Sequence, residues 1–340
     1  MMETDHLKNL NKFCTYIGKD PYLVQAAGGN VSLKDGDIMW IKASGTSIGE
    51  AEKKEIFIPI NLKIMQDALS KDLFDIKVNA INGSNLKPSI ETAFHALMRH
   101  KFTVHVHSIS SLIHLVQKNS YEIIKEKMDN TISWGYVEYF KPGSHLAEGV
   151  SKLIDKQDDV DVIFLENHGV IIGGDDLSRI KYLLDYLDNL FGRNNFNNKI
   201  SNPVASACSL KDKVHGYVPC QDYRINELAI NSKYMNKLTT SWALFPDHVV
   251  FLGAKAIVYE FEDLNSITDK SSIDAPFIFV KNHGVLQRTD VTKSQFEQLI
   301  CYFNVITNIE DASNQRCLSD GDISDLLNWD AEIYRQTLSK

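Results

Sequence analysis

The stretch DVIFLENHGVIIGG, residues 161 to 174, predicts a long apolar strand that the polar insert ENHG interrupts. The next segment predicts a helix, because Asp175 or Asp176 can cap its first turn and its apolar residues recur at helical spacing. Those apolar residues are Ile180, Leu183, Leu184, Leu187 and Phe191. Strand, turn and helix therefore follow one another in this part of the chain.

The same pattern returns later in the sequence. FLENHGVII at 164–172 matches FVKNHGVLQ at 279–287, an offset of 115 residues, and the following helical segment keeps that offset. This repeated motif indicates a partial internal duplication. Between the copies, the polar stretch from Gly192 to about Lys213 contains Pro203 and is the best candidate for a linker. We therefore expect two domains, 1–200 and 205–340.

Three segments before the first copy have sequence patterns that predict local secondary structure. Residues 4–18 carry apolar side chains at helical spacing, and the turn signal GGN at 28–30 precedes two strand-like pieces joined by Asp35 and Gly36. SIETAFHALMRH, residues 89–100, predicts a helix with Ser89 as its N-cap.

The bulk composition excludes some classes of function. The 340 residues carry a net charge of −8, which argues against a general nucleic-acid or anionic-membrane surface. The five cysteines are odd in number and scattered, as expected of free thiols in a reducing compartment. The N-terminus lacks an apolar signal core, so a cytoplasmic location is expected.

FTVHVHSIS, residues 102–110, puts two histidines on one face of a predicted strand. Side chains alternate along a strand, so His105 and His107 share a face and the flanking valines share the other. A divalent metal would tie the two imidazoles together, but a pair of hydrogen-bonded polar residues fits this motif equally well. His168 could supply a third nitrogen, and three histidines with an open fourth position are typical of a catalytic metal site. Glu91 could act as acid/base or as a fourth ligand.

Small residues at predicted turns could bind an anion. GGN, KASG (residues 42–45) and Ser89 can offer backbone N–H groups and hydroxyls to a group such as phosphate, although each motif alone also fits ordinary turn chemistry. Lys42 could reach the same anion or be solvated.

Four motifs together resemble one known family. AAGGNVSLKDGDIMWIKASG, PSIETAFHALM, VHVHS and LENHGVII have the order and spacing of the class II aldolase/adducin family, over about residues 5–195. This family includes L-fuculose- and L-rhamnulose-1-phosphate aldolases and L-ribulose-5-phosphate 4-epimerase. The resemblance implies an α/β fold with three layers, α/β/α, around a largely antiparallel sheet. Residues 205–340 would then be an α/β extension and a degenerate partial repeat, packed over the active-site mouth or at a subunit contact.

The resemblance also implies roles for individual residues. His105, His107 and His168 would hold a divalent cation, zinc being expected and Mn²⁺ or Co²⁺ the alternatives. Glu91 would be the catalytic acid/base. A substrate phosphate would lie against residues of the small turns: Gly29, Asn30, Lys42, Ser44, Gly45 and Ser89. The chain departs from the family at Ile90, where a second serine is common.

The implied reaction is retro-aldol cleavage of a ketose phosphate through a metal-stabilised enediolate. Epimerase, decarboxylase or dehydratase activity of the same family stays open, as does a non-catalytic adducin-like binding role. The resemblance further implies a homo-oligomer, a tetramer in the family. His283, in the second NHG, is expected to lie outside the metal site.

Overall fold

The computed structural model describes residues 2–193, 196, 209–266, 275–309 and 312–338. Within these residues the helices are α1 Met2–Ile17, α2 Leu62–Leu69, α3 Thr92–Leu97, α4 Ile109–Leu115, α5 Ser120–Lys127, α6 Ser144–Ile154, α7 Leu177–Leu190, α8 Tyr223–Ile230, α9 Ser232–Thr240, α10 Pro246–Leu252, α11 Lys293–Thr307, α12 Asp320–Leu327 and α13 Asp330–Leu338. The strands are β1 Asn30–Asp35, β2 Ile38–Lys42, β3 Phe57–Asn61, β4 Phe102–Val106, β5 Trp134–Val137, β6 Val162–Leu165, β7 Gly169–Gly174, β8 Tyr217–Pro219, β9 Ile257–Tyr259, β10 Phe277–Val280 and β11 Gly284–Arg288.

The first seven strands form one sheet in the order β3-β2-β1-β4-β7-β6-β5. Every neighbouring pair is antiparallel except β5 and β6, which are parallel. The predicted strand interrupted by ENHG is the β6–β7 hairpin, and Asp176 caps α7 by accepting a hydrogen bond from the Arg179 N–H. Those predictions are confirmed, as is the helix predicted over residues 4–18, which is α1.

Helices cover both faces of this sheet. Alternation along β6 sends Val162 and Phe164 into a core that includes residues of α1, α5 and α7. Ile163 and Leu165 enter a second core with residues of α2, α3 and α6. The result is three layers, α/β/α, as predicted.

The helix predicted to start at Ser89 differs in its bounds. It begins at Thr92 and ends at Leu97, and Glu91 occupies the N-cap position. The Ser89 Oγ instead accepts a hydrogen bond from the Glu91 N–H at 3.3 Å, which closes a tight turn ahead of the helix. The prediction of Ser89 as N-cap is therefore wrong, because its hydroxyl is used two residues away within that turn.

The last four strands form a second sheet in the order β8-β11-β10-β9. This order repeats β4-β7-β6-β5, including the parallel pairing of the last two strands. The hairpin register repeats as well, since Val162 pairs with Ile172 and Phe277 pairs with Gln287, each 115 residues later. The topology thus supports the duplication predicted from the sequence.

The extension shares a core with the first half of the chain. Ile109, Leu112 and Ile113 of α4 pack among buried residues of α8 to α12. The polar stretch predicted as a linker lies largely outside the described residues, as do the boundary at 200–205 and Cys208. The four described cysteines are free thiols, as predicted. None of the described helices has the length and apolar character needed to cross a membrane.

Candidate metal centre and substrate cavity

Three histidines converge at the ends of neighbouring interior strands of the first sheet. His105 lies near the end of β4, His107 follows that strand, and His168 lies in the turn between β6 and β7. All three are buried, and one nitrogen from each lies within 4.8 Å of the others. The Nε2 atoms of His105 and His107 are 3.1 Å apart, so the predicted shared face is confirmed.

The Nδ1 atoms of His105 and His107 each face a hydrogen-bond acceptor. His105 Nδ1 lies 3.0 Å from the Val170 carbonyl oxygen, and His107 Nδ1 lies 3.2 Å from Asp247 Oδ2. When each ring is neutral and its Nδ1–H donates outward, the Nε2 lone pairs of His105 and His107 face each other. Burial lowers the pKa of the His105 ring well below 6.5, which favours its neutral form.

This arrangement fits a bound cation. Two facing lone pairs repel unless a positive centre lies between them. A tetrahedral zinc with Zn–N distances of ~2.0–2.1 Å places its nitrogen ligands about 3.3–3.4 Å apart. The nitrogen set of His105, His107 and His168 thus has the chemistry of a zinc-type site, and its atoms lie within 4.8 Å of one another.

Glu91 lies beside this nitrogen set. Its Oε2 is 3.7 Å from His105 Nε2 and accepts a hydrogen bond from Asn30 Nδ2 at 2.7 Å. Its Oε1 is 3.4 Å from His168 Nε2 and has no hydrogen-bond partner among the described residues. Burial lowers the pKa of His168 to about 3, although the Glu91 charge opposes this shift, so the ring is neutral and can act as a ligand.

A chain of hydrogen bonds orients Asn30. His95 is fully buried, and its Nε2 contacts Asn30 Oδ1 while its Nδ1 lies 2.8 Å from the Ser32 hydroxyl. With Oδ1 engaged by His95, the Asn30 amide presents Nδ2 to Glu91 and to the Ser89 hydroxyl. The GGN turn therefore holds one oxygen of Glu91 in place.

A cavity of about 30 Å³ adjoins these groups. It is lined by all six residues predicted to contact a phosphate: Gly29, Asn30, Lys42, Ser44, Gly45 and Ser89. Gly29 has φ +65°, and a Cβ there would lie 2.6 Å from the His105 carbonyl oxygen, so this turn requires glycine. Ile90 also lines the cavity and brings no hydroxyl.

The Lys42 side chain links the two turns that contain Gly29 and Gly45. Its buried Nζ lies within 3.4 Å of the carbonyl oxygens of Ala27, Ala43 and Thr46. Burial lowers the pKa of Lys42 to about 7, and the Arg335 guanidinium acts in the same direction. These three acceptors match the three N–H donors of an ammonium group, so Lys42 holds the turns together. Its contact with a substrate anion stays a prediction.

Two further side chains in the cavity wall come from the extension and were missed by the sequence reasoning. Asp247 at the start of α10 contacts His107, and Arg335 of α13 forms an ion pair with Asp247. A carboxylate inside the apolar segment FPDHVVF was the one local signal, since buried acids need partners. Arg335 has no such signal.

His283 lies away from the cavity, as expected. It is partly exposed, its Nδ1 contacts the Lys281 carbonyl oxygen at 2.8 Å, and its ring stacks on Phe261. The second NHG therefore keeps the hairpin turn and contributes no nitrogen to the three-histidine cluster.

Comparison with known proteins identifies the family. The class II aldolase and adducin N-terminal domain matches residues 11–193, more than half of the chain. The chain therefore belongs to the class II aldolase family, and its α/β fold is the one predicted, with a second sheet in the C-terminal extension.

Several relatives match the same half of the chain. An L-fuculose phosphate aldolase of Methanocaldococcus jannaschii is 30% identical over 177 residues, which cover 50% of this chain and 84% of the relative. One of Methanococcus maripaludis is 29% identical over 174 residues, covering 49% and 83%. A solved class II aldolase domain from Thermoplasma acidophilum is 27% identical, with TM-score 0.43, and covers 54% of this chain and 89% of its own. A sugar-phosphate aldolase from Thermotoga maritima is 15% identical, with TM-score 0.46, covering 56% and 94%.

Proposed function

We propose that the protein is a metal-dependent aldolase that cleaves a ketose phosphate in the retro-aldol direction. The observation that carries this proposal is the 3.1 Å separation of the His105 and His107 Nε2 atoms, beside a carboxylate oxygen of Glu91 that has no hydrogen-bond partner among the described residues. The names of the curated relatives favour a sugar phosphate as substrate. A non-catalytic role would give no reason to keep three converging imidazoles and a buried acid together.

In this proposal His105, His107 and His168 hold a divalent cation, with zinc expected. When bound, the cation supplies Lewis-acid polarisation of substrate oxygens. The Val170 carbonyl oxygen and the Asp247 carboxylate accept hydrogen bonds from the Nδ1–H groups of His105 and His107 in this proposal. These hydrogen bonds fix the tautomers, so both rings present an Nε2 lone pair to the cation.

Glu91 moves the proton. Its Oε2 is held by Asn30, which leaves Oε1 available to the substrate. As a carboxylate, Glu91 accepts the proton of the hydroxyl on the carbon two positions from the ketone. The bond between that carbon and the carbon next to the ketone breaks. The hydroxyl-bearing carbon becomes an aldehyde, and the electron pair of the broken bond moves to the carbon next to the ketone. Glu91 then returns the proton to that carbon, which balances the reaction.

The substrate phosphate lies against the turns that line the cavity. Gly29 and Gly45 carry no side chain there, so backbone N–H groups can approach an anion closely, and Ser44 and Ser89 add hydroxyls. A cavity of about 30 Å³ holds an ion and water but no sugar. Leu338 of α13 lies against Gly45, so we infer that α13 shifts when substrate enters.

The test is cleavage of a panel of ketose 1-phosphates by the zinc-loaded full chain. Dihydroxyacetone phosphate is detected with a coupled dehydrogenase, and the matching unphosphorylated ketoses serve as controls. Chromatography of the sugar products reports epimerisation in the same samples. A metal-loaded protein that releases no dihydroxyacetone phosphate from any member of the panel would contradict the aldolase assignment.

Three further expectations stay proposals. These are the division of the chain near residues 200–205, the homo-oligomer, a tetramer by family resemblance, and the cytoplasmic location.

A further inference from the structure

The extension supplies the acceptor for one of the three histidines. Asp247 Oδ2 lies 3.2 Å from His107 Nδ1, and the Asp247 side chain is 3% exposed. A hydrogen bond from Nδ1–H to a carboxylate fixes the ring orientation and, in a neutral ring, leaves the lone pair on Nε2. The acceptor for His105 is the backbone carbonyl of Val170 in the first half of the chain. Of these two rings, His107 is therefore the one held by the extension.

Other residues of the extension hold Asp247 in turn. Arg335 of α13 forms an ion pair with Asp247 Oδ1, and the Gln298 amide of α11 lies 3.3 Å from Oδ2. Glu332, one turn earlier on α13, lies 3.2 Å from Arg335. Although burial acts to raise the pKa of Asp247, the Arg335 guanidinium and His107 hold it well below its usual range.

Gly28 of the family domain leaves space for this carboxylate. A Cβ on Gly28 would lie 2.8 Å from Asp247 Oδ2 and 3.0 Å from His107 Nδ1. Any larger residue at position 28 would therefore press on both partners of the hydrogen bond. Next to it, the Ala26 N–H donates to Glu297 of α11 at 2.7 Å, so the extension also fixes the turn that carries Gly28.

We propose that Asp247 is a positioning residue for His107 and that Arg335 fixes Asp247, so that the extension completes the metal centre within the same chain. This inference rests on the metal site of the proposed function. It goes beyond that function because the family match ends at residue 193, before either side chain.

The test measures cation affinity in the full chain, without substrate. Zinc and Co²⁺ are titrated in competition with a chromophoric chelator, and the Co²⁺ absorption spectrum reports ligand geometry. We expect Asp247→Ala to weaken binding about 10- to 100-fold, as is typical when the carboxylate behind a metal-bound histidine is removed. Asp247→Asn should lose less, since its amide oxygen can still accept from Nδ1–H.

The chain offers a matched control. Asp222 also forms an ion pair with an arginine of the extension, Arg224, at 2.6 Å, and it caps α8 away from the cavity. Asp222→Ala should leave cation affinity within about threefold of wild type. Arg335→Met should weaken binding and Arg335→Lys should largely restore it, which keeps the test decisive if Asp247→Ala folds poorly.

A second readout uses the metal-free protein. The ¹⁵N shifts of the His107 ring should report an Nδ1–H tautomer in wild type and a mixture of tautomers in Asp247→Ala. The His105 ring, whose acceptor is the Val170 carbonyl oxygen, should keep its tautomer in both proteins, whereas a general loss of packing would change both rings. Wild-type affinity and an unchanged tautomer in both Asp247 variants would overturn this inference and leave the proposed function intact. A wild-type protein that binds no cation would overturn both.

Discussion

Asn167 and Asn282 adopt the same left-handed backbone conformation in two hairpins that are 115 residues apart. Their φ angles are 53° and 61°, and each precedes a histidine in the tight turn between two paired strands. Asparagine tolerates this conformation better than most residues. Their side chains differ, because Asn167 is fully buried and donates to the carbonyl oxygens of Leu244 and Arg316, whereas Asn282 is exposed.

We expect Asn167→Ala to destabilise the protein more than Asn282→Ala. The backbone strain is shared and amounts to ~1 kcal/mol. The two buried hydrogen bonds add ~0.5–1.5 kcal/mol each at Asn167 alone. Urea unfolding should therefore give losses of about 2–4 kcal/mol for Asn167→Ala and about 1 kcal/mol for Asn282→Ala. Glycine at each site relieves the strain, so Asn282→Gly should be near wild type while Asn167→Gly keeps a deficit. Equal losses in the two alanine variants would refute this account.

The repeated NHG gives a matched pair for metal binding. His168→Ala removes a nitrogen from the three-histidine cluster, whereas His283→Ala removes a ring that stacks on Phe261. We expect the His168 variant to lose most of its bound zinc after dialysis and the His283 variant to keep it, measured by elemental analysis. Retention of zinc by His168→Ala, together with loss in His283→Ala, would reverse the assignment.

Glu91→Gln should separate proton transfer from metal binding. The amide has the shape of the carboxylate but accepts no proton at neutral pH, and positioned acid/base groups contribute ~10²- to 10⁴-fold. We expect turnover of the substrate found in the panel to fall by about that factor, with zinc content and unfolding midpoint close to wild type. Turnover above about a tenth of wild type would show that another group moves the proton.

His248 should make the extension sensitive to acid. It is fully buried among Trp242, Phe245 and Tyr302, and neither ring nitrogen has a hydrogen-bond partner among the described residues. Burial lowers the pKa of His248 to about 3, so between pH 6.5 and that value only the unfolded chain binds a proton at this site. The free energy of unfolding should therefore fall with falling pH, by up to ~1.4 kcal/mol per unit from this group.

The measurement is urea unfolding of the metal-free protein between pH 7 and pH 4. His248→Leu should have a visibly shallower pH dependence than wild type, because leucine binds no proton. Parallel curves for the two proteins would mean that His248 is already protonated, or hydrated, in the folded state.

Local patterns predicted individual elements of the first half and the shared face of His105 and His107, whereas the layered sheet and the full set of site residues came from the family resemblance. The H-x-H spacing places two rings on one strand face whatever the tertiary structure, and the turn at His168 follows from apolar strands on both sides. The repeated hairpin motif predicted a partial repeat in the extension, and the second sheet repeats the strand order of the first. The N-cap at Ser89 failed because a serine hydroxyl two residues before the cap can close a turn of its own.

Long-range contacts set the limit of the sequence reasoning. Asp247 and Arg335 reach the cavity only because α10 and α13 fold back over the first sheet, and no residue beside them in sequence records that path. Lys42 posed the opposite problem. Its position suggested an anion contact, but the surrounding carbonyl oxygens became apparent only once both turns were placed.

The origin of Arg335 in the last described helix has a consequence for biosynthesis. About 300 residues separate it from the GGN turn, which corresponds to roughly 15–60 s of translation at ~5–20 residues per second. His107 precedes Arg335 by 228 residues, so for roughly 11–46 s of that interval its ring lacks the Asp247 and Arg335 support of the folded protein. The proposed metal centre is therefore complete only after α13 has been synthesised.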